Sequence, residues 1–141
     1  MRERCVYMER LSINPVGLAK PGGYSHCITV QDAKLIFIAG QVGWNEDRKF
    51  ANGSDLRAQA DGAYRNLGIA LKAGGATYTD IVKMTTYVVG FDAAMWPVLG
   101  EVFSLYFPRE NRPATVLIGV SALAFPELLI EIEAIAAVAP T

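Results

Sequence analysis

Two glutamates near the C-terminus have the spacing that most directly suggests chemistry. Glu131 and Glu133 lie two residues apart within the otherwise apolar segment 128–138. On a β-strand, residues two apart point to the same face, so the two carboxylates would lie about 7 Å apart. Such a pair could polarise a water molecule or hold a cation. A solvated strand face, or ion pairing with a nearby Lys or Arg, explains the same pattern, and the two residues alone leave both interpretations open.

The other reactive side chains do not form a known catalytic or metal-binding pattern. Ser25 precedes the single histidine, His26, but adjacency in sequence is not the geometry of a catalytic triad, and no Gly-x-Ser-x-Gly motif occurs. One His and two separated cysteines, Cys5 and Cys27, lack the spacing of zinc ligands. We therefore expect no metal and no cofactor, and reduced thiols in a cytoplasmic protein.

Hydropathy periodicity predicts the element order β-β-α-β-α-β-β. The predicted strands are 24–29, 34–39, 81–89, 114–120 and 128–138, an extra strand is possible near 5–11, and the predicted helices are 56–73 and 93–107. The turn 30–33 predicts a hairpin between the first two strands. Ser54 or Asp55 is expected to cap the first helix, Gly75 to end it, and Pro97 to lie in the first turn of the second.

Two helices can cover only one face of a sheet of this size. Alternation in 81–89 places Lys83 and Thr85 on the face opposite Met84, so this second face is partly polar. The sequence therefore predicts an α+β fold with one sheet covered by two helices on one face. Its open face is expected to pack against other subunits and to form a wet cleft.

The composition limits the classes of function. The chain has 141 residues with 52% hydrophobic and 19% charged residues, which fits a single domain spanning residues 1–141. Its 13 Lys and Arg against 14 Asp and Glu leave no basic excess to bind nucleic acid. No apolar stretch approaches the roughly 20 residues that span a membrane, and the charged N-terminus lacks a signal-peptide core, so no membrane association is expected.

Five segments in order carry a family resemblance. They are Gly23-Tyr-Ser25, Ile36-Phe-Ile-Ala-Gly-Gln41, Ile81-Val-Lys-Met-Thr-Thr-Tyr87, Arg112-Pro-Ala114 and Leu129-Ile-Glu-Ile-Glu-Ala-Ile-Ala136. Together they resemble the RidA/YjgF family of reactive-intermediate deaminases over a core of about residues 20–138. The resemblance implies a chorismate-mutase-like fold of the bacillus type and a homotrimer with three clefts between subunits. It also implies hydrolysis of 2-imino or 2-enamino acids to 2-keto acids and ammonia.

The resemblance also implies roles for individual residues. Glu131 matches the glutamate that orients the attacking water, Tyr24 lies at the cleft mouth, and Gly40 offers a backbone contact. Thr115 stands where deaminase members have the arginine that binds the substrate carboxylate, and Gly100 stands where they have an asparagine. Arg112 is not expected to replace that arginine, because three residues along a strand place it about 10 Å away on the opposite face. A substrate without a carboxylate, or an arginine supplied from another position or subunit, are alternatives that the sequence leaves open.

Loss of the arginine leaves two functions open. Thr offers one neutral hydrogen bond where Arg offers two charge-assisted ones, and weaker positioning costs on the order of 10²–10⁴ in rate. One function is hydrolysis of an imine, an enamine or a related small metabolite by a Glu131-oriented water. The alternative is a non-catalytic metabolite-binding trimer. A chorismate mutase is disfavoured because Thr115 removes one cation that its dicarboxylate would need, and a nuclease is disfavoured by the charge balance.

Overall fold

A computed structural model describes residues 7–141 of the chain. Its strands are β1 Glu9–Ile13, β2 Cys27–Gln31, β3 Lys34–Gln41, β4 Ile81–Val89, β5 Ala114–Val120 and β6 Ile130–Val138, and its helices are α1 Leu56–Gly74 and α2 Trp96–Tyr106. The α+β class and the order of the predicted elements are confirmed. The extra strand is present as β1, while Cys5 and Val6, also within the expected stretch, lie outside the described residues.

Four strands form the main sheet, in the order β3-β6-β4-β5. β4 and β5 are parallel, whereas β6 pairs antiparallel with both β3 and β4. The central position of β6 explains its composition, since Ile130, Ile132 and Ala134 point into the core and are almost fully buried. Glu131 and Glu133 alternate with them and point to the other face.

The predicted single sheet and its first hairpin are wrong. β1 and β2 form a separate two-stranded antiparallel sheet, and β3 pairs with β6 instead of with β2. The tight turn is present, with Asp32 at a φ of 51°, a left-handed conformation that Asp tolerates. At that turn the chain leaves the β1–β2 ladder, which already pairs all five residues of β2, and enters the main sheet.

Both helices lie on the same face of the main sheet. Helix α1 begins at the N-cap Asp55, whose carboxylate accepts from the Ala58 N–H at 2.8 Å, and ends at Gly75 with a φ of 84°. One turn of 3₁₀ helix, Ala93–Met95, precedes α2, so the second predicted helix is split near Pro97, which lies in the first turn of α2. In the described part of the chain, neither helix is long and apolar enough to cross a membrane.

The other face of the main sheet has no helix over it in the described chain. Apolar side chains on this face remain accessible, with Phe37 74% and Leu35 46% exposed on β3. Val116 and Ile118 on β5 are also about 40% exposed. Apolar groups arranged side by side on an open sheet are typical of a surface that another chain covers.

Candidate functional site

A cavity of about 670 Å³ lies between α2 and strands β4 and β5, on the helix-covered face. Its size is within the range of small-molecule sites. It is lined by Gly22, Gly23, Tyr24, Tyr64, Met84, Thr86, Trp96, Leu99, Gly100, Phe103, Ser104, Arg112, Thr115 and Leu117. Two of the four predicted site residues, Tyr24 and Thr115, are therefore brought together within one chain.

Ser25 anchors the segment that carries Tyr24, one of the residues that line the cavity. Its backbone N–H donates to the Pro113 carbonyl at 3.1 Å, and its hydroxyl donates to the Arg112 carbonyl at 2.7 Å. Ser25 is 6% exposed, so both hydrogen bonds are shielded from water. These bonds hold the segment that carries Tyr24 against residues 112–113, which directly precede β5.

Arg112 lines the same cavity as Thr115, so the expectation that it lies on the opposite face is wrong. The reason is that β5 begins at Ala114, and the alternation of a strand does not extend to a residue in the preceding loop. The Arg112 guanidinium carbon lies 5.0 Å from the centre of the Phe103 ring, and Nε donates to the Pro108 carbonyl at 3.1 Å. Sequence reasoning missed this cation because nothing local to it indicates which way the loop turns.

Thr115 and Gly100 leave space in the cavity. Thr115 pairs with Met84 across the β4–β5 ladder, and both side chains face the cavity. A Cβ atom built on Gly100 would meet nothing within 4 Å. The cavity is therefore wide at the two positions where the family resemblance leads one to expect an arginine and an asparagine.

Two hydroxyl groups lie in the inner wall. Tyr64 and Thr86 line the cavity and are only 4% and 5% exposed. Burial raises the pKa of the Tyr64 phenol far above its ordinary value, so this hydroxyl stays protonated at any physiological pH. The inner wall thus offers neutral polar groups and no charge.

The other two predicted residues, Glu131 and Gly40, lie together elsewhere. A Cβ atom on Gly40 would be 1.9 Å from Glu131 Oε1, so the carboxylate occupies the space that the glycine leaves open. Gly40 falls where the β3–β6 register shifts, between Ile38 and Gln41. Within residues 7–141, the Glu131 carboxylate makes no hydrogen bond and no ion pair.

The two glutamates of β6 are not equivalent. The Tyr87 hydroxyl donates to Glu133 Oε1 at 2.9 Å, and this hydrogen bond raises the pKa of Tyr87. Glu131 is half-buried and without such a partner in the described chain, so it is the carboxylate available to orient a water molecule. The described residues contain no group of three or more His, Cys, Asp or Glu side chains placed to hold a metal ion.

Within one chain, Glu131 and Thr115 are on opposite faces of the sheet. Glu131 pairs with Tyr87 and Thr115 with Met84, on the two sides of β4. Three residues along the strands and two strand spacings across them separate the two Cα positions by roughly 14 Å. A single small ligand bound to one chain cannot contact both residues.

His26 has a structural environment. Its ring packs edge-on against Tyr24 with 5.1 Å between centroids, and Nε2 lies 2.7 Å from the Ala19 carbonyl oxygen. These contacts support the loop that carries Tyr24, and they agree with the interpretation that Ser25 and His26 are not a catalytic pair.

This architecture defines a class: a small α+β protein with a ligand-sized cavity on one sheet face and an available carboxylate on the other. Residues 17–138 match the family described as Endoribonuclease L-PSP. The chain belongs to this family, which is also the RidA/YjgF family, and the resemblance seen in the sequence is confirmed.

Named relatives and a solved structure support the assignment. The chain is 36% identical over 115 residues to a RutC family protein of Pyrococcus abyssi, covering 82% of this chain and 86% of that protein. It is 33% identical over 119 residues to the 2-iminobutanoate/2-iminopropanoate deaminase of Rattus norvegicus, covering 84% of this chain and 82% of that protein. The crystal structure of a Rid family protein of unknown function from Yersinia pestis superposes with a TM-score of 0.82 at 39% identity, covering 92% of this chain and 98% of that one.

Proposed function

We propose that this protein hydrolyses a small imine or enamine in clefts formed between copies of the chain. The observation that carries the proposal is the division of the site. One face of the sheet holds a ligand-sized cavity with Tyr24, Thr115 and a cation, and the other holds the Glu131 carboxylate against Gly40. Each half is incomplete alone, and a neighbouring copy could supply the missing half.

The open sheet face supports assembly as a homotrimer, the state that the family resemblance implies. Phe37 on β3 is 74% exposed and lies on the same face as Glu131. Burial of such side chains against another copy is the ordinary route by which apolar sheet faces are covered. The native mass in solution tests this, and a trimer would give three times the chain mass of 15.3 kDa.

The proposed reaction needs one base and one water. Glu131 accepts a hydrogen bond from the water and orients its oxygen toward the carbon of the C=N bond. As the new C–O bond forms, the water proton passes by way of the carboxylate to the nitrogen. The resulting carbinolamine loses ammonia and leaves a carbonyl group, so imine and water give ketone and ammonia. Gly40 allows this geometry because any larger residue would displace the carboxylate.

A non-catalytic role as a metabolite-binding trimer is the second candidate. The observation favouring it is that Thr115 and Gly100 are small where active members of the family, by resemblance, have larger polar groups. If the cavity binds a ligand but does not fix the position of its reacting carbon, the ligand would be bound without being converted.

An ammonia-release assay on freshly generated imines separates the two candidates. We expect release by the wild-type protein to fall at least 100-fold in Glu131→Gln, which keeps the shape of the side chain and removes the base. Glu133→Gln is the matched control on the same strand, since its carboxylate is already engaged by Tyr87. No release above the uncatalysed rate with any imine, together with binding of the keto product, would favour the binding role.

A further inference from the structure

Among the cavity-lining residues in the described range 7–141, Arg112 is the only one with a charged side chain. We propose that it binds the carboxylate of the ligand and that the cavity takes a carboxylate with a bulky apolar side chain, such as an aromatic 2-imino acid. This inference rests on the proposed function for the imine part of the ligand. The carboxylate and the bulky side chain follow from the cavity itself.

The Arg112 guanidinium is positioned but not neutralised. Nε donates to the Pro108 carbonyl, and the guanidinium carbon lies over the Phe103 ring. In the part of the chain from residue 7 onward, its two terminal nitrogens make no hydrogen bond and no ion pair. Arg57 and Arg65 differ, because each pairs with a carboxylate, Glu101 and Asp61 respectively.

Gly23 brings the guanidinium to the cavity wall. A Cβ atom at this position would lie 2.5 Å from Arg112 Nη1, so a larger residue would displace the guanidinium from its position. Gly23 also has a φ of 129°, which L side chains rarely adopt. Arg112 Nη1 thus lies beside Gly23, another residue of the cavity lining, and a guanidinium can bind a carboxylate through two parallel hydrogen bonds.

The remaining wall favours a large apolar group. Met84, Leu99, Phe103 and Leu117 supply aliphatic and aromatic surface, and Trp96 adds a further ring. A three-carbon imino acid would leave most of the 670 Å³ unfilled. A ring would bury far more apolar surface, and so would bind more tightly for the same carboxylate contact.

Three stable ligands test the inference by calorimetry. Phenylpyruvate has both the ring and the carboxylate, phenylacetone keeps the ring and ketone without the carboxylate, and pyruvate keeps the carboxylate without the ring. We expect phenylpyruvate to bind the wild-type protein at least tenfold more tightly than either of the others. Equal affinity for phenylpyruvate and phenylacetone would overturn the role of the cation, and equal affinity for pyruvate would overturn the bulky-ligand class.

Variants then assign the effect to one residue. Arg112→Met keeps the apolar stem that packs on Phe103, and we expect it to lower phenylpyruvate affinity at least tenfold while leaving phenylacetone unchanged. Arg112→Lys keeps the charge and should recover part of the loss. Arg109→Met is the matched control, an exposed residue with the same change in charge that does not line the cavity. Wild-type affinity in Arg112→Met would refute the assignment.

The outcome is separable from that of the proposed function. Arg112-dependent binding of phenylpyruvate without ammonia release from any imine leaves the inference standing and refutes the enzyme. Ammonia release that depends on Glu131 and not on Arg112 would support the enzymatic function and refute the role of Arg112. If Arg112→Met does not fold, the three ligands measured on the wild-type protein and on Arg112→Lys still test whether Arg112 binds the carboxylate.

Discussion

Gly40→Ala tests whether the position of the Glu131 carboxylate matters. The added Cβ atom would lie 1.9 Å from Oε1, 2.7 Å from Cδ and 3.0 Å from Cγ of Glu131. All three atoms belong to one side chain, so the backbone can stay in place while the carboxylate moves. Reaching ordinary van der Waals contact near 3.4 Å requires a shift of about 1.5 Å. A displacement of about 1 Å can cost roughly 100-fold in rate, which is the expected loss of ammonia release.

The expected stability change in Gly40→Ala is small. Forcing Glu131 from its rotamer costs about 0.5–1.5 kcal/mol. Against this, alanine restricts the unfolded chain and stabilises by about 0.4–1 kcal/mol, because Gly40 does not have the left-handed φ that alanine would resist. The net change in the free energy of unfolding should therefore lie within about 1 kcal/mol, a shift of a few degrees in Tm.

A double-mutant cycle with Glu131→Ala isolates the contact. In Glu131→Ala the three atoms nearest to the new methyl group are absent, so Gly40→Ala in that background should stabilise the protein by up to about 1 kcal/mol. Urea unfolding of the four proteins measures this. Wild-type kcat/KM in Gly40→Ala, or the same stability change in both backgrounds, would show that the close approach of Gly40 and Glu131 has no consequence.

Three further results are expected. Asp55→Ala should lose about 1 kcal/mol in urea unfolding, because the Ala58 N–H loses its cap. The Tyr106 hydroxyl donates a hydrogen bond to Asp61 and lowers the pKa of this carboxyl group. The ionised Asp61 should therefore stabilise the fold at neutral pH, and this stabilisation should be lost as pH falls below about 4. Tyr106→Phe should make the free energy of unfolding less dependent on pH in this acidic range. Thr115→Arg should raise ammonia release from 2-iminopropionate, which the wild-type protein should hydrolyse poorly, and should weaken phenylpyruvate binding by filling the cavity.

The orientation of Glu131 was predictable because it depends on a local rule. A strand alternates its faces, and an apolar run interrupted by two glutamates fixes which face is buried. The cap at Asp55 and the termination at Gly75 were predictable for the same reason, since both follow from backbone geometry within a few residues. Such signals need no knowledge of the rest of the chain.

Strand pairing and the position of Arg112 were not predictable from local pattern. β2 has the alternation of a hairpin strand, but its partner is β1, and no feature of β2 itself distinguishes β1 from β3. Arg112 reaches the cavity because Ser25, 87 positions earlier in the chain, holds the Arg112 carbonyl. Contacts between residues so far apart in sequence are set by the topology of the whole sheet.

The separation of Glu131 from the cavity follows from that topology. β6 and β5 lie on the two sides of β4, and Glu131 on β6 points to the opposite face of the sheet from Thr115 on β5. No rotamer change within one chain can bring the Glu131 carboxylate through a hydrogen-bonded sheet to the Arg112 guanidinium. If both act on one ligand, the apolar face that carries Glu131 has to meet the cavity of another copy. Folding would then position each group and assembly would unite them, so that a water-activating carboxylate and a ligand-binding cation do not neutralise each other in the single chain.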